Sequence, residues 1–192
     1  MNLPNRLTVL RILMIPLFLI IASEKLFFGN MTILGTELPI NQFIAMLIFA
    51  GASITDWLDG VIARSQGLVT NFGKFADPLA DKMLVMSAFI VLVGQNKIAP
   101  WIVAVIVCRE LAVTGLRLLL VEDGEVMAAA WPGKVKTATQ MLAIIFLLLN
   151  NAPFQAIGFP FATILVYICL FFTVYSGVDY FIKNSHVFKD SM

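Results

Sequence analysis

Six apolar runs, each near the length of a bilayer-crossing helix and parted by short polar stretches, limit this chain more than any other feature. A spanning helix needs roughly 20 mostly apolar residues to cross about 30 Å of hydrocarbon. The candidate spans run from about Leu7 to Ala22, Ile40 to Leu58, Pro78 to Val93, Ala99 to Val121, Val135 to Leu149 and Phe159 to Phe181. Of the 192 residues, 60% are hydrophobic and 13% charged; soluble domains run at about 45–50% and about 25%. That balance excludes both an ordinary soluble domain and a disordered chain. A net charge of +1 gives nucleic acid no electrostatic footing. Cys108 and Cys169 sit in apolar runs and suggest neither a disulfide framework nor a metal cluster. The expectation is an all-α integral membrane protein, a six-transmembrane-helix bundle with residues 1–192 as a single domain.

Gly29-Asn30, Gly94-Gln95-Asn96 and Asn150-Asn151-Ala152-Pro153 supply turn chemistry between spans. Orientation follows from basic residues in the flanks. With the N-terminus inside, Arg6, Arg11, Arg64, Lys74, Lys82, Arg109, Arg117, Lys134, Lys136, Lys183 and Lys189 share the cytoplasmic side, and only Lys25 and Lys97 face out. Both termini are therefore expected in the cytoplasm. No small-residue cleavage pattern follows Ile21, so the first span reads as a retained helix rather than a signal peptide. A short chain with no transit segment favours a bacterial plasma membrane.

In so uncharged a chain, four carboxylates in one stretch require a reason. Asp56 and Asp59 are three apart at the inner end of the second span; Asp77 and Asp81 are four apart at the start of the third. Each pair shares a helix face. Pro78 fits a position near a helix start. Ionised carboxylates at a membrane boundary cost a few kcal/mol unless paired, hydrated or bound to a cation, and four together repel one another. All-oxygen ligation suits Mg²⁺ or Mn²⁺ and not Zn²⁺, and four carboxylates are enough for two ions. Gly60, Ala63 and Gly73 fall on the facing surfaces, where they allow either close helix packing or room for a nucleotide. Salt bridges to Arg64, Lys74 and Lys82 are the competing use of the carboxylates.

Asp56, Asp59-Gly60, Ala63-Arg64, Gly73, Asp77 and Asp81, at these spacings, resemble the signature of the CDP-alcohol phosphotransferase family. Asn5-Arg6-Leu7-Thr8 with Arg11, Arg109-Glu110 with Gly115-Leu116-Arg117, and Trp131 to Thr137 resemble the branch that makes phosphatidylglycerophosphate. The stretch from Ala22 to Gln42 carries nothing diagnostic. The resemblance implies a six-helix bundle, a homodimer, and a site open to the cytoplasm. It implies that CMP leaves as a phosphatidyl group passes from CDP-diacylglycerol to an alcohol. Position by position it implies Asp56, Asp59, Asp77 and Asp81 as metal ligands, with Asp81 also taking the acceptor hydroxyl proton. A bound cation lowers a carboxylate's pKa, which makes Asp81 a weak base. Asn5, Thr8, Asp59, Gly60, Arg64, Thr70 and Gly73 are the candidates for CDP-diacylglycerol.

The acceptor is read from a second cluster. Arg109 and Arg117 lie two turns apart on the fourth span, and Lys134 and Lys136 open the fifth. All four fall on the expected cytoplasmic side, either as one anionic pocket or as ordinary anchors for lipid headgroups. Glu110 is positioned to orient Arg109 or to pair with Lys82. An acceptor with its own phosphate needs such a pocket, and with the branch resemblance this points to sn-glycerol 3-phosphate. Inositol phosphate, or phosphatidylglycerol as in cardiolipin synthesis, would suit the same fold. A reading from another class is a divalent-cation transporter, but its ion site would be expected near the midplane. His186 reads as a solvated tail residue, and Asp179 is placed to meet Lys183 four residues on.

Overall fold

The computed structural model describes the backbone of residues 3–23, 29–33, 35–66, 71–122 and 131–185; side chains 3–5, 57–66, 71–75, 118, 121 and 122 lie outside the description. The elements are α1 (Leu3–Ser23), β1 (Asn30–Ile33), β2 (Thr36–Pro39), α2 (Ile40–Gln66), α3 (Asn71–Gly94), α4 (Pro100–Glu122), α5 (Trp131–Leu148) and α6 (Phe161–Lys183), with a 3-10 turn at Phe154–Ile157. The chain forms two compact units, Met1–Lys97 with Ile144–Phe161, and Ile98–Ala143 with Ala162–Met192.

In the first unit α1 packs against both α2 and α3. Its inward positions are Thr8, Arg11, Ile15, Phe18 and Ala22, and its exposed ones include Leu10, Leu13, Leu17 and Ile20. The spacing of three and four is that of one helix face. The large apolar side chains are as prominent outside as inside, the inverse of a soluble helix. Phe18 meets Phe49 of α2 with ring centroids 6.2 Å apart. Phe146, Phe154 and Phe161 pack together beside the 3-10 turn, the Phe154–Phe161 centroids being 4.5 Å apart.

The second unit repeats the inversion in α6. Ile164, Ile168, Phe171, Val174, Val178 and Ile182 are exposed, whereas Cys169, Thr173, Ser176 and Gly177 are buried. Small and hydroxyl side chains inside with bulky hydrocarbon outside is how helices pack in lipid, where close approach rather than water exclusion holds them.

All six expected helices are present, with differences that have physical causes. α2 continues to Gln66 and α3 begins at Asn71, so both carboxylate pairs stand within helices rather than at their ends. Pro78 is inside α3 and not at its start; lacking an N–H, it leaves the carbonyl of residue 74 without its helical bond. Among the described residues two helices are long and apolar enough to cross a membrane, Arg6–Ser23 and Phe161–Lys183, and Ile40–Asp56 is a shorter apolar stretch. The other helices carry polar residues in their lengths, Asp77, Asp81 and Lys82 in α3 and Arg109, Glu110 and Arg117 in α4.

The stretch without diagnostic residues contains an antiparallel hairpin, β1 with β2, in which Ile33 pairs with Thr36. Gly35 closes it at φ +83°, and a Cβ there would meet Ala156 Cβ at 3.5 Å. A side chain in that backbone region costs about 1–2 kcal/mol. Gly35→Ala is therefore expected to destabilise the protein by about that amount in detergent. Gly51→Ala, in the interior of α2 with open space around the new Cβ, is expected to stabilise by about 0.5–1 kcal/mol. Equal shifts of the two variants in thermal unfolding would refute the hairpin assignment.

Candidate active site

The carboxylates of the second and third helices are held from α1. Arg11, with no solvent exposure, sets Nη1 2.7 Å from Asp56 Oδ1, and the Asp56 side chain keeps 33% of its surface open. One turn earlier Thr8, also fully buried, donates its hydroxyl to Asp77 Oδ1 at 2.5 Å. Thr8 and Arg11 are three apart and share the inward face of α1, so one helix reaches a carboxylate on each of two neighbours. A guanidinium taken wholly from water needs an anion at good geometry, because the desolvation cost otherwise exceeds the attraction. Asp56 supplies the anion as an ion pair and keeps part of its side chain open.

Asp59, Gly60, Arg64 and Gly73 have helical backbone in α2 or α3, but their side chains lie outside the described residues, as do Asn5 and the whole of Thr70. Asp81 stands one turn beyond Asp77 on α3 and is partly buried. Among the described residues no three His, Cys, Asp or Glu side chains form a group able to hold a metal ion. The described donors, Asp56, Asp77 and Asp81, are all oxygen ligands, the chemistry that hard divalent cations take. The donor type of these three fits a hard divalent cation such as Mg²⁺ or Mn²⁺.

The basic cluster belongs to the second unit. Lys136, 6% exposed, forms an ion pair with Glu110 Oε1, and Arg109 Nη1 donates to the same oxygen at 3.1 Å. Arg109 Nη2 donates to Ser176 Oγ at 2.8 Å, and its guanidinium carbon lies 5.8 Å from the Tyr180 ring centroid. A Cβ on Gly177 would stand 3.0 Å from Arg109 Cγ, so the absent side chain is what lets Arg109 lie against α6. Glu110 thus orients Arg109 and pairs with Lys136. Two cations against one carboxylate leave the cluster a net positive charge in a dry setting, where an anion is attracted strongly. Arg117 and Lys134 are exposed and have no hydrogen bond or ion pair among the described residues. The structure brings Arg109 and Lys136 together and leaves those two apart from them. Asp179 pairs with Lys183 at 2.8 Å.

Arg11 was legible as an oddity, a charge among Leu10, Ile12 and Leu13, but its partner was not. Ser176, Gly177 and Tyr180 gave no sequence signal, being common residues in an apolar run. Breaking a buried ion pair from one side costs about 3–5 kcal/mol. Arg11→Met is expected to lower stability by about 3 kcal/mol. Joined with Asp56→Asn it should cost less than the sum of the singles, with a coupling of at least about 1 kcal/mol. Strict additivity in detergent unfolding would show that Asp56 is not what Arg11 answers to.

A family model described as CDP-alcohol phosphatidyltransferase matches residues 1–175. The chain is 48% identical over 190 residues to the CDP-diacylglycerol–glycerol-3-phosphate 3-phosphatidyltransferase of Bacillus subtilis strain 168, covering 99% of this chain and 98% of that one. It is 41% identical over 180 residues to a probable phosphatidylglycerophosphate synthase of Mycobacterium tuberculosis, covering 93% and 79%. An Escherichia coli K12 protein with the same name as the Bacillus one is 38% identical over 154 residues, covering 77% and 76%.

Proposed function

The chain belongs to the CDP-alcohol phosphatidyltransferase family, and from that membership we propose that it transfers the phosphatidyl group of CDP-diacylglycerol to sn-glycerol 3-phosphate, releasing CMP. The observation that carries the proposal is likeness to a named enzyme of that activity along 99% of this chain. The chain is a membrane protein. The positive-inside bias supports six spans with both termini and the site on the cytoplasmic side, and the match over residues 1–175 supports one catalytic domain.

The family generally works with a divalent metal. Asp56, Asp59, Asp77 and Asp81 would hold one or two such ions, which neutralise the diphosphate and act as Lewis acid toward the departing CMP. The protein's own part is positioning and proton transfer. Arg11 and Thr8 fix the Asp56 and Asp77 carboxylates before substrate arrives, so no reorganisation is needed during reaction. Asn5, Gly60, Arg64, Thr70 and Gly73 form the nucleotide and diphosphate seat. Asp81 accepts the proton of the acceptor hydroxyl as its oxygen attacks the phosphorus bearing the diacylglycerol. One P–O bond forms, the P–O bond to CMP breaks, and the proton rests on the Asp81 carboxylate. Arg109 and Lys136 take the phosphate of the acceptor, and Arg117 and Lys134 add positive potential from farther out. The protein acts as a homodimer.

Purified protein with CDP-diacylglycerol and Mg²⁺ or Mn²⁺ is expected to release CMP in detergent when given glycerol 3-phosphate, and not with inositol phosphate, phosphatidylglycerol or serine. Asp81→Asn should lower kcat by at least about 100-fold, the usual scale for a lost acid–base group. Lys136→Met should raise KM for glycerol 3-phosphate by about tenfold or more, the scale of one charge-assisted hydrogen bond, and leave KM for CDP-diacylglycerol alone. Lys134→Met, an exposed position, should change it far less. Release with serine or phosphatidylglycerol instead would discard the phosphate pocket and keep the chemistry, and release with inositol phosphate would keep both and discard glycerol 3-phosphate as the acceptor. No release with any acceptor, from folded protein supplied with metal, would sink the proposal.

A further inference from the structure

The first unit has a second concavity, at the end of α1 and α3 away from the carboxylates. Ala22 is fourteen residues along α1 from Thr8, which at 1.5 Å per residue is about 20 Å. A cavity of about 920 Å³ lies there, between the ends of α1 and α3, the hairpin and the start of α2. That is near the top of the roughly 300–1,000 Å³ range of small-molecule sites, and far larger than a free phosphate or a water cluster needs. Its walls are of two kinds. Leu19, Ile90 and Val91 supply hydrocarbon, whereas Asn41, Gln95 and Lys97 form a polar end.

Lys97 is the unusual member. It follows α3 in the turn that leads to α4, and its ammonium donates to Gln42 Oε1 at 2.7 Å and to Leu147 O at 2.9 Å. An ammonium has three donors, and among the described residues no carboxylate pairs with it. Burial alone pushes its pKa down to about 8, so at neutral pH it remains mostly charged, with no carboxylate partner among the described residues. Beside it Gln95 Nε2 donates to Ala22 O at 2.8 Å, which fixes the amide's orientation. Gln95 Oε1 is buried with no hydrogen-bond partner among the described residues. Among the described residues the polar end therefore offers a cation without an anion and an acceptor without a donor, next to a hydrocarbon wall.

The apolar wall is continuous with lipid-exposed surface: Ile90 lines the cavity and is 65% exposed, and Ile20 on α1 is 57% exposed. We propose that this cavity is a binding site for an anionic phospholipid of the bilayer, with an acyl chain along Leu19, Ile90 and Val91 and the headgroup phosphate against Lys97. A headgroup with hydroxyls supplies the donor that Gln95 lacks, which makes phosphatidylglycerol the probe of choice. The site is separate from the catalytic carboxylates and does not depend on the reaction assigned to them.

Native mass spectrometry of the delipidated full-length protein would be run with phosphatidylglycerol, phosphatidylcholine and inorganic phosphate in turn, alongside CMP release. Phosphatidylglycerol is expected to be retained at least about tenfold better than phosphatidylcholine, the scale of one charge-assisted hydrogen bond. Lys97→Met should remove that preference and Lys97→Arg keep it. Gly94 lines the cavity, and a Cβ there meets nothing within 4 Å, so Gly94→Leu fills the space without strain and should reduce retention of both lipids. These variants should leave CMP release unchanged. If Lys97→Met fails to fold, Gly94→Leu decides alone. Equal retention of the two lipids by the unmodified protein, or unchanged retention in Gly94→Leu, would overturn the proposal. Inorganic phosphate bound as well as lipid would make it a free-anion site and overturn the lipid occupant. Loss of CMP release in the unmodified protein would count against the catalytic reading alone.

Discussion

A guanidinium with no solvent exposure on an apolar helix imposes conditions on everything around it. Arg11 is such a group, and the fold answers it with Asp56 on the neighbouring helix. Removing either charge would strand the other away from water, so the pair ties the register of α1 to that of α2. Thr8, on the same face, does the same toward Asp77 on α3. Three helices are thereby fixed at one level by polar contacts, in a setting where apolar packing has little preference for one register over another. Two of the four carboxylates that the proposed function uses, Asp56 and Asp77, are the ones that set this register.

The second unit solves a comparable problem differently. Arg109 and Lys136 share the Glu110 carboxylate, and small residues of α6 make the space: Ser176 accepts from Arg109 and Gly177 lets its stem pass. Among the described residues this largely buried cluster holds one more cation than anion, a costly arrangement that the proposed acceptor phosphate would relieve. Lys97 is a third case, a partly buried cation whose described partners are neutral acceptors. In all three places a few charges, rather than bulk hydrophobicity, fix which side chains meet.

Much of this was legible in the chain. The apolar runs predict six helices, and six are found, with boundaries that differ most at α2 and α3. There charged residues interrupt the hydropathy signal, although helical hydrogen bonding runs on through them. The hairpin between Asn30 and Pro39 was not legible, because two four-residue strands carry too short an alternation to stand out. Of the candidate site, the carboxylate spacing was plain. Arg109 and Lys136 were visible as cations in the right region, but their separation from exposed Arg117 and Lys134 was not.

The sequence by itself determined what is dictated along the chain: the helical runs, the membrane as solvent, and carboxylates repeated every three or four residues on two successive helices. These depend on local periodicity and on the cost of charge in hydrocarbon, which need no knowledge of neighbours. Only the tertiary structure decided which charge meets which, that Arg11 answers Asp56, that Glu110 serves Arg109 and Lys136 together, and that Lys97 closes one end of a cavity. The pairings between helices join residues 26 to 69 positions apart, Lys136 with Glu110 and Thr8 with Asp77 at the two ends of that range. They follow from how helices pack side by side, a relation that no spacing within one helix encodes.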